Sequence, residues 1–222
     1  MTELLRLPQT TGYDNDDSKE LLRAACREHR RSRTDAELSD LGARLTEQIL
    51  AAIGGARSVA LYVSTHGEPP THGALTQLAA RGISVLLPVL GPGLSRNWGL
   101  FKGHEDLSER APGRPPEPSG PTWTADALNK VDAIIIPALA VDGFGTRLGQ
   151  GGGWYDRVLA ELTGPTTVFA MVFDEELVST QRLPKVDYDQ SVDAVITPTR
   201  LFLLEGSPFQ KETFANLRGS EG

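Results

Sequence analysis

The first quarter of the chain has apolar residues spaced as on one face of an α-helix. The clearest series runs through Leu38, Leu41, Leu45, Ile49 and Ile53. Thr34 and Glu37 form a capping-box pattern just before it, which predicts a helix from there to about residue 53. An earlier helix is predicted to run to about residue 32, with Asp17 or Ser18 as its N-cap.

Short, continuous apolar runs follow, and each is typical of a strand that is buried on both faces. The predicted strands are 58–63, 83–88, 133–137, 167–173 and 194–197. Helical patterns at 73–80 and 153–162 lie between some of them. Because strands alternate with helices, the pattern predicts a single α/β domain, with a mostly parallel central sheet flanked by helices in a three-layer sandwich.

The chain divides into three predicted parts. Residues 1–17 are polar, end in an acidic cluster, and are expected to form a loose N-terminal arm. Residues 18–204 hold the α/β domain, and residues 205–222 are expected to be a C-terminal tail. A stretch rich in Gly and Pro at about 91–122 is interpreted as an insert or lid within the domain, with a short strand near Trp98–Phe101.

The composition of the 222-residue chain is that of an ordinary globular protein, with 39% hydrophobic and 23% charged residues. A formal net charge of −7 disfavours general nucleic-acid binding. No apolar run has the length of a membrane span and no signal peptide is recognised, so a cytoplasmic protein without a membrane partner is expected. The single cysteine, Cys26, excludes an internal disulfide framework and is interpreted as a packing residue rather than a nucleophile. Nothing in the sequence demands a dimer, and a monomer is expected.

Six glycines crowd the segment from Asp142 to Arg157. The segment follows an apolar run and precedes a helical pattern, and a glycine loop at the start of a helix is a natural phosphate site. Arg147 and Arg157 flank the loop and can neutralise a phosphate, while Asp156 can hold a metal ion on the phosphate oxygens. The loop matches neither the P-loop nor the dinucleotide-binding pattern. A flexible surface turn is the alternative interpretation.

This loop carries a resemblance to a known family. The signature of the 5-formyltetrahydrofolate cyclo-ligases, also called methenyltetrahydrofolate synthetases, is similar to the run Arg147-Leu148-Gly149-Gln150-Gly151-Gly152-Gly153-Trp154-Tyr155-Asp156-Arg157. The preceding run Ile136–Asp142 is similar to the family's approach to the loop. The chain departs from the family at Gln150, where an aromatic residue or Arg is frequent, and at Trp154, where Tyr is usual.

A second segment of the resemblance lies in the first predicted helix. Lys19 and Arg23 are one helical turn apart, so both cations lie on one helix face, where they can meet a triphosphate. The family carries a Lys and an Arg there for ATP. The alternative is a basic face that only contacts solvent.

Two more segments extend the resemblance to residues 18–198. Glu68, after the strand that ends at Val63, takes the position of the family's glutamate for the folate pterin, where a carboxylate can pair with an amino-pyrimidine edge. Asp189 takes the position of the acid associated with magnesium, and Asp187 is a neighbouring alternative. An exposed acidic loop is the alternative interpretation of both segments.

The resemblance therefore implies a set of site residues. Arg147 and Tyr155 are implied to be catalytic, and Asp156 and Asp189 to bind Mg²⁺. The ATP-binding residues are implied to be Lys19, Arg23, Arg147, Leu148, Gly149, Gln150, Gly151, Gly152, Gly153, Trp154 and Tyr155. The substrate-binding residues are implied to be Val63, Glu68, Gln150, Gly151, Gly152, Gly153 and Trp154.

The reaction implied by the resemblance is the ATP- and Mg²⁺-dependent conversion of 5-formyltetrahydrofolate, with or without a polyglutamate tail, to 5,10-methenyltetrahydrofolate, ADP and phosphate. ATP phosphorylates the formyl oxygen, N10 attacks the activated carbon, and phosphate leaves. One alternative is an α/β enzyme similar to sugar-phosphate isomerases or coenzyme A transferases. Another is a regulator that binds folate or nucleotide without catalysis.

Overall fold

The computed structural model describes residues 5–91, 95–178 and 182–204 of the chain. Within these ranges the α-helices are α1 (Asn15–Arg31), α2 (Asp35–Ile53), α3 (His72–Ala80) and α4 (Trp154–Leu159). The strands of the same ranges are β1 (Ser58–Ala60), β2 (Ser84–Leu90), β3 (Arg96–Leu100), β4 (Leu107–Ser108), β5 (Glu117–Pro118), β6 (Thr122–Trp123), β7 (Ala133–Pro137), β8 (Ala140–Asp142), β9 (Arg147–Leu148), β10 (Thr167–Met171), β11 (Leu177–Val178), β12 (Ala194–Ile196) and β13 (Leu201–Leu203). None of the described helices is long and apolar enough to span a membrane.

Eight strands form the central sheet, in the order β13-β12-β10-β7-β1-β2-β3-β6. The inner strands β12, β10, β7, β1 and β2 are parallel to one another. Strand β13 at one edge and strands β3 and β6 at the other are antiparallel to their neighbours. The predicted fold class, an α/β domain with a mostly parallel central sheet, is therefore confirmed.

Helices cover both faces of the sheet, as the three-layer prediction requires. Helices α2 and α3 lie on one face, where Ile49 packs in the same cluster as Ile135 of β7. Helix α4 and the 3-10 helix Ala125–Lys130 lie on the other face, where Val158 packs in the cluster of Ile134. Ile134 and Ile135 join opposite cores because successive strand residues point to opposite faces of a sheet.

A small three-stranded sheet, in the order β11-β8-β9, was not predicted from the sequence. Strands β8 and β9 form a hairpin after β7, and β9 lies within the glycine-rich segment 142–157, so part of that segment is a strand and not a loop. The hairpin turns where Asp142 Oδ1 accepts hydrogen bonds from the N–H groups of Phe144 and Thr146, both at 2.9 Å. Helix α1 packs on this sheet through Leu22 and Cys26.

Two helix boundaries differ from the predictions. Helix α1 begins at Asn15, earlier than predicted, because Asp14 is its N-cap and accepts a hydrogen bond from Asp17 N at 2.8 Å. Leu5 and Leu7, in the predicted arm, pack against the cluster under α1. The capping box of α2 is present as predicted. Helix α4 is shorter than predicted and ends at Leu159.

The Gly- and Pro-rich insert extends the sheet. Its strands β3 and β6 lie at one edge, and β4 pairs with β5 beside them. Trp98 of β3 is 1% exposed, whereas Trp123, its partner in register on β6, is 45% exposed. The predicted tail, 205–222, lies outside the described residues.

Candidate functional site

A cleft of about 660 Å³ opens where the parallel strands β1, β2 and β7 end. Loops that follow parallel strands meet at one edge of a sheet, which is the usual place for a ligand site in an α/β fold. The site residues implied by the resemblance all line this cleft, namely Lys19, Arg23, Val63, Glu68, Asp189 and the segment 147–156, whereas Asp187 and Arg157 do not. The structure therefore brings together groups from four separate parts of the chain.

Lys19 of α1 reaches across the cleft to the loop that precedes β12. Its Nζ lies 2.5 Å from Asp189 Oδ2, and Lys19 is only 6% exposed. The same oxygen accepts a hydrogen bond from Val186 N at 2.9 Å. The predicted phosphate-binding cation and the predicted magnesium ligand thus form one ion pair.

A second ion pair joins the two ends of the glycine loop. Arg147 Nη2 donates to Asp156 Oδ1 at 2.7 Å, and Arg147 is 7% exposed. Asp156 Oδ1 also accepts from Gln190 N at 3.1 Å, so this carboxylate holds the glycine loop to the loop of Asp189. Arg157, the other predicted flanking cation, is exposed on α4 and does not line the cleft.

Helix α1 clamps the glycine loop with two more arginines. Arg23 Nε donates to the carbonyl of Gly149 at 3.0 Å. One turn further along, Arg27 Nη2 donates to the carbonyl of Gln150 at 3.0 Å and its Nε donates to Gln150 Oε1 at 3.2 Å. Gln150, a departure from the family pattern, thus has a partner in Arg27. Arg27 was not among the predicted site residues, although it continues the basic face of α1.

The carboxylates of the cleft have the chemistry that a magnesium ion needs. In both Asp156 and Asp189 one oxygen makes the bonds described above, and the other accepts none from the described residues. No group of three or more His, Cys, Asp and Glu residues in the described part of the chain is arranged to hold a metal by itself. Mg²⁺ commonly binds one or two carboxylates together with substrate phosphates, so these residues fit a metal ion that arrives with a nucleotide.

Glu68 lies in the loop after β1, beside two tyrosines. Its Oε2 accepts a hydrogen bond from Thr65 N at 2.9 Å, which fixes the carboxylate. Burial, with the negative charge of Glu68 as the next cause, raises the pKa of both Tyr62 and Tyr155. Both phenols are therefore neutral hydroxyls at physiological pH. The hydroxyl of Tyr62 donates to Pro69 O at 2.9 Å. Tyr62 was not predicted as a site residue because a tyrosine at the end of a buried strand is usually interpreted as a core residue.

Trp154 both packs and lines the cleft. Its ring centroid is 5.4 Å from that of the buried Trp98 and 4.8 Å from that of Tyr155. Aromatic contacts of this kind stabilise packing beyond the area that they bury. Trp154 therefore ties α4 to the edge strand β3, while one side of it remains in the cleft wall.

Asp142, Asp193, Asp187 and Tyr188 lie in or beside the same segments. Asp142 is fully buried and its Oδ2 accepts from Leu183 N at 2.9 Å, so it organises the hairpin. Asp193 Oδ2 accepts from Val168 N at 2.8 Å and supports β10. Asp187 and Tyr188 are exposed, and Tyr188 is 5.9 Å from Lys19 Nζ, measured to the ring centroid.

The insert supplies a wall of the cleft that the sequence did not predict. Residues Arg114 to Glu117 line it, as do Pro88 and Leu90 at the end of β2. A Gly- and Pro-rich stretch has no periodic pattern of apolar residues, so its sequence does not predict which of its residues line a cleft.

Comparison with known proteins assigns the chain to one family. A model of the 5-formyltetrahydrofolate cyclo-ligase family matches residues 15–198. The 5-formyltetrahydrofolate cyclo-ligase of Mycolicibacterium smegmatis is 34% identical over 188 residues, which cover 82% of this chain and 95% of that protein. The protein of the same name from Escherichia coli K12 is 32% identical over 181 residues, covering 79% and 98%. The NMR structure of Aquifex aeolicus 5,10-methenyltetrahydrofolate synthetase superposes with a TM-score of 0.71 at 24% identity, covering 84% of this chain and 93% of that one.

Proposed function

The chain belongs to the 5-formyltetrahydrofolate cyclo-ligase family, and from this premise we propose how its cleft converts 5-formyltetrahydrofolate to 5,10-methenyltetrahydrofolate with ATP. The enzyme is an ATP-dependent ligase. Membership decides against the alternatives of an isomerase- or transferase-like enzyme and of a regulator without catalysis.

The ATP phosphates are assigned to the part of the cleft between α1 and the glycine loop. Lys19, Arg23 and Arg147 bring three positive charges there, and the backbone of 148–153 and the side chains of Trp154 and Tyr155 complete the site. Charge-assisted hydrogen bonds from Lys and Arg to phosphate are among the stronger polar interactions in proteins.

The folate is assigned to the part of the cleft beside β1. Glu68 is oriented by Thr65 N, and its Oε1 accepts no hydrogen bond from the described residues. That oxygen is available to the amino-pyrimidine edge of the pterin. Val63 and the loop 150–154 form the neighbouring surface, so the formyl group would lie beside the phosphates.

Asp156 and Asp189 are the residues proposed to hold Mg²⁺, each through its second carboxylate oxygen. When bound with ATP, the ion supplies charge neutralisation at the transferring phosphate.

The proposed reaction has three steps, and the protein acts through position and charge. The formyl oxygen attacks the γ-phosphorus of ATP, and the bond from phosphorus to the β,γ-bridging oxygen breaks. N10 then attacks the activated formyl carbon, the ring closes, and the carbon–oxygen bond breaks to release phosphate. Arg147 stabilises the charge of the transferring group, and Tyr155 contacts the formyl group as a neutral hydroxyl. N10 loses its proton as the ring closes, which balances the atoms and charges of the reaction.

One observation carries the proposal: two ion pairs of cations and carboxylates flank the glycine loop within one cleft. The test is the absorbance of methenyltetrahydrofolate with purified protein, 5-formyltetrahydrofolate and Mg²⁺, before and after ATP is added. A rise that needs both ATP and Mg²⁺ supports the proposal. A folded protein that gives no rise would refute it.

The finer properties of the enzyme belong to the same proposal. We propose that it acts in the cytoplasm as a monomer, and that it accepts folates with a polyglutamate tail. Sedimentation of the purified chain measures its oligomeric state. Turnover of mono- and pentaglutamate substrates measures its tolerance of the polyglutamate tail.

A further inference from the structure

Glu117, at the start of β5, is a buried carboxylate in the wall of the cleft for which the mechanism above has no use. Its side chain is 9% exposed. Oε1 accepts a hydrogen bond from Leu90 N at 2.9 Å. Oε2 is buried and accepts no hydrogen bond from the described part of the chain. A buried oxygen of this kind is costly to leave without a donor, so its position calls for a partner.

Arg110 is the nearest cation, and it does not satisfy Oε2. Its Nε is 3.3 Å from that oxygen but is not aligned to donate, and its side chain is 52% exposed. The Nη2 of Arg110 donates instead to the carbonyl of Pro118 at 3.2 Å. Because the arginine is exposed and its Nε is not aligned, this ion pair is weak.

The position of Glu117 is fixed by the close packing of the neighbouring Pro118 ring on Gly99. A Cβ at Gly99 of β3 would lie 2.6 Å from Pro118 Cγ and 3.2 Å from Val89 Cγ2. Only glycine lets β5 approach β3 this closely. Together with the hydrogen bond to Leu90 N, this contact holds the carboxylate in place before any ligand binds.

Glu117 repeats the arrangement of Glu68. In each carboxylate one oxygen is held by a backbone N–H at 2.9 Å, and the other accepts no hydrogen bond from the described residues. Both line the same cleft, Glu68 after β1 and Glu117 beside the end of β2, the strand that pairs with β1. The phosphate-binding cations lie elsewhere, on α1 and around the glycine loop. A carboxylate would repel phosphate, so the folate is the ligand that suits this position.

We propose that Glu117 is a second folate-binding carboxylate that accepts an N–H of the reduced pterin. The proposal rests on the proposed folate site, because it needs the pterin to lie against Glu68. A tetrahydropterin carries N–H donors at N3, N8 and the 2-amino group, and one carboxylate pairs with only two of them. Glu117 would accept a hydrogen bond from one of the remaining N–H groups, and so favour binding of a ligand that has the amino-pyrimidine ring.

The test compares Glu117→Gln with the wild-type protein in three measurements. Gln keeps the size of the side chain and an acceptor for Leu90 N but removes the charge. We expect the Kd for 5-formyltetrahydrofolate to rise about tenfold, as for a lost charged hydrogen bond, while the Kd for a non-hydrolysable ATP analogue and the Tm stay unchanged. An equal rise in both Kd values, a rise for the nucleotide alone, or no change would overturn the proposal.

Arg110→Ala is the second variant, and it tests the proposal even where Glu117→Gln does not fold. Because Arg110 competes for Oε2, its removal is expected to leave folate affinity at or above that of the wild type. A weaker affinity for folate would mean that Glu117 acts only within the ion pair, against the proposal. Wild-type turnover separates the two failures: without ATP-dependent turnover the proposed function itself fails, whereas normal turnover with unchanged folate binding in Glu117→Gln rejects the role of Glu117 alone.

Discussion

Lys19 and Asp189 form an ion pair of 2.5 Å although 170 residues separate them in the chain. Arg147 and Asp156 repeat the arrangement at 2.7 Å. In each pair a proposed phosphate ligand neutralises a proposed magnesium ligand. A complex of ATP and Mg²⁺ brings phosphate for the cations and a metal ion for the carboxylates. Lys19 and Arg147 can therefore bind phosphate while Asp189 and Asp156 bind the metal.

The first prediction separates Asp189 from Asp187. Asp189→Asn removes the charge that is proposed to hold Mg²⁺, and we expect the Mg²⁺ concentration for half-maximal activity to rise roughly tenfold. Asp187→Asn is the matched control, since Asp187 is exposed two residues away. Activity titrated with Mg²⁺ measures both. A larger effect of Asp187→Asn would mean that Asp187, and not Asp189, binds the metal ion.

The second prediction concerns charge stabilisation by Arg147. Arg147→Ala should lower kcat by ~10²-fold, because the proposed role is to neutralise the transferring phosphate. Arg157→Ala changes an exposed cation outside the cleft and should leave kcat nearly unchanged. Steady-state rates, with circular dichroism to verify folding, distinguish the two. Near-normal kcat in Arg147→Ala would remove Arg147 from the mechanism.

The third prediction concerns the turn between β8 and β9. Gly145 has a φ of +82°, and a Cβ there would lie 2.6 Å from the carbonyl oxygen of Val192. Gly145→Ala should therefore destabilise the protein by about 2 kcal/mol or more. Gly143→Ala, where no atom lies within 4 Å of the added Cβ, should change stability by less than about 0.5 kcal/mol. Urea denaturation of both variants measures the difference, and similar midpoints would contradict the prediction.

The fourth prediction concerns the buried pair of Arg30 and Glu176. Arg30 Nε and Nη2 donate to the two oxygens of Glu176, each at 2.7 Å. Arg30→Met leaves the carboxylate unpaired and should cost about 3–5 kcal/mol of unfolding free energy. Arg31→Met, which changes an exposed cation on the same helix, should cost less than about 0.5 kcal/mol.

A pH series adds to that test. Burial already raises the pKa of Glu176, and the loss of Arg30 removes the opposing charge, so the pKa rises further. The folded variant then binds a proton that the unfolded chain has lost. Its unfolding free energy should fall relative to the wild type as pH rises above about 4.3, the ordinary pKa of glutamate. A parallel pH dependence of the two proteins would argue against an unpaired Glu176.

The fifth prediction concerns Cys26. The thiol is fully buried, and burial raises its pKa to about 12, so almost none is thiolate at pH 8. A thiol reagent at pH 8 should label the native protein at least ~10²-fold more slowly than the protein unfolded in guanidinium. Rapid labelling of the native state would contradict the packing role.

The parts of the fold that local pattern determines were predicted well. Helix α2 has both a capping box and a regular apolar face, and β7 is a continuous apolar run. The hairpin of β8 and β9 was missed because its turn depends on buried hydrogen bonds to Asp142, which no periodicity reveals. The position of Glu117 in the cleft wall was missed for a similar reason, since its neighbours come from β2 and β3 rather than from its own segment.

The candidate site was predicted as a set of residues, and the structure adds their partners. The family resemblance placed Lys19 and Arg147 in the site, but the pairing of each cation with a carboxylate depends on tertiary contacts. Whether these residues bind ATP and magnesium stays a prediction, which the variants above test.

The packing of α1 has a consequence for how the enzyme is made. Leu22 and Cys26 pack in one cluster with Leu139, Ala140 and Leu183, and the pair of Arg30 and Glu176 spans 146 residues. During translation this helix therefore leaves the ribosome long before the residues that it packs against have been synthesised. During synthesis its apolar face is open to chaperones and to other nascent chains, and the catalytic cleft is completed only as the last third of the polypeptide emerges.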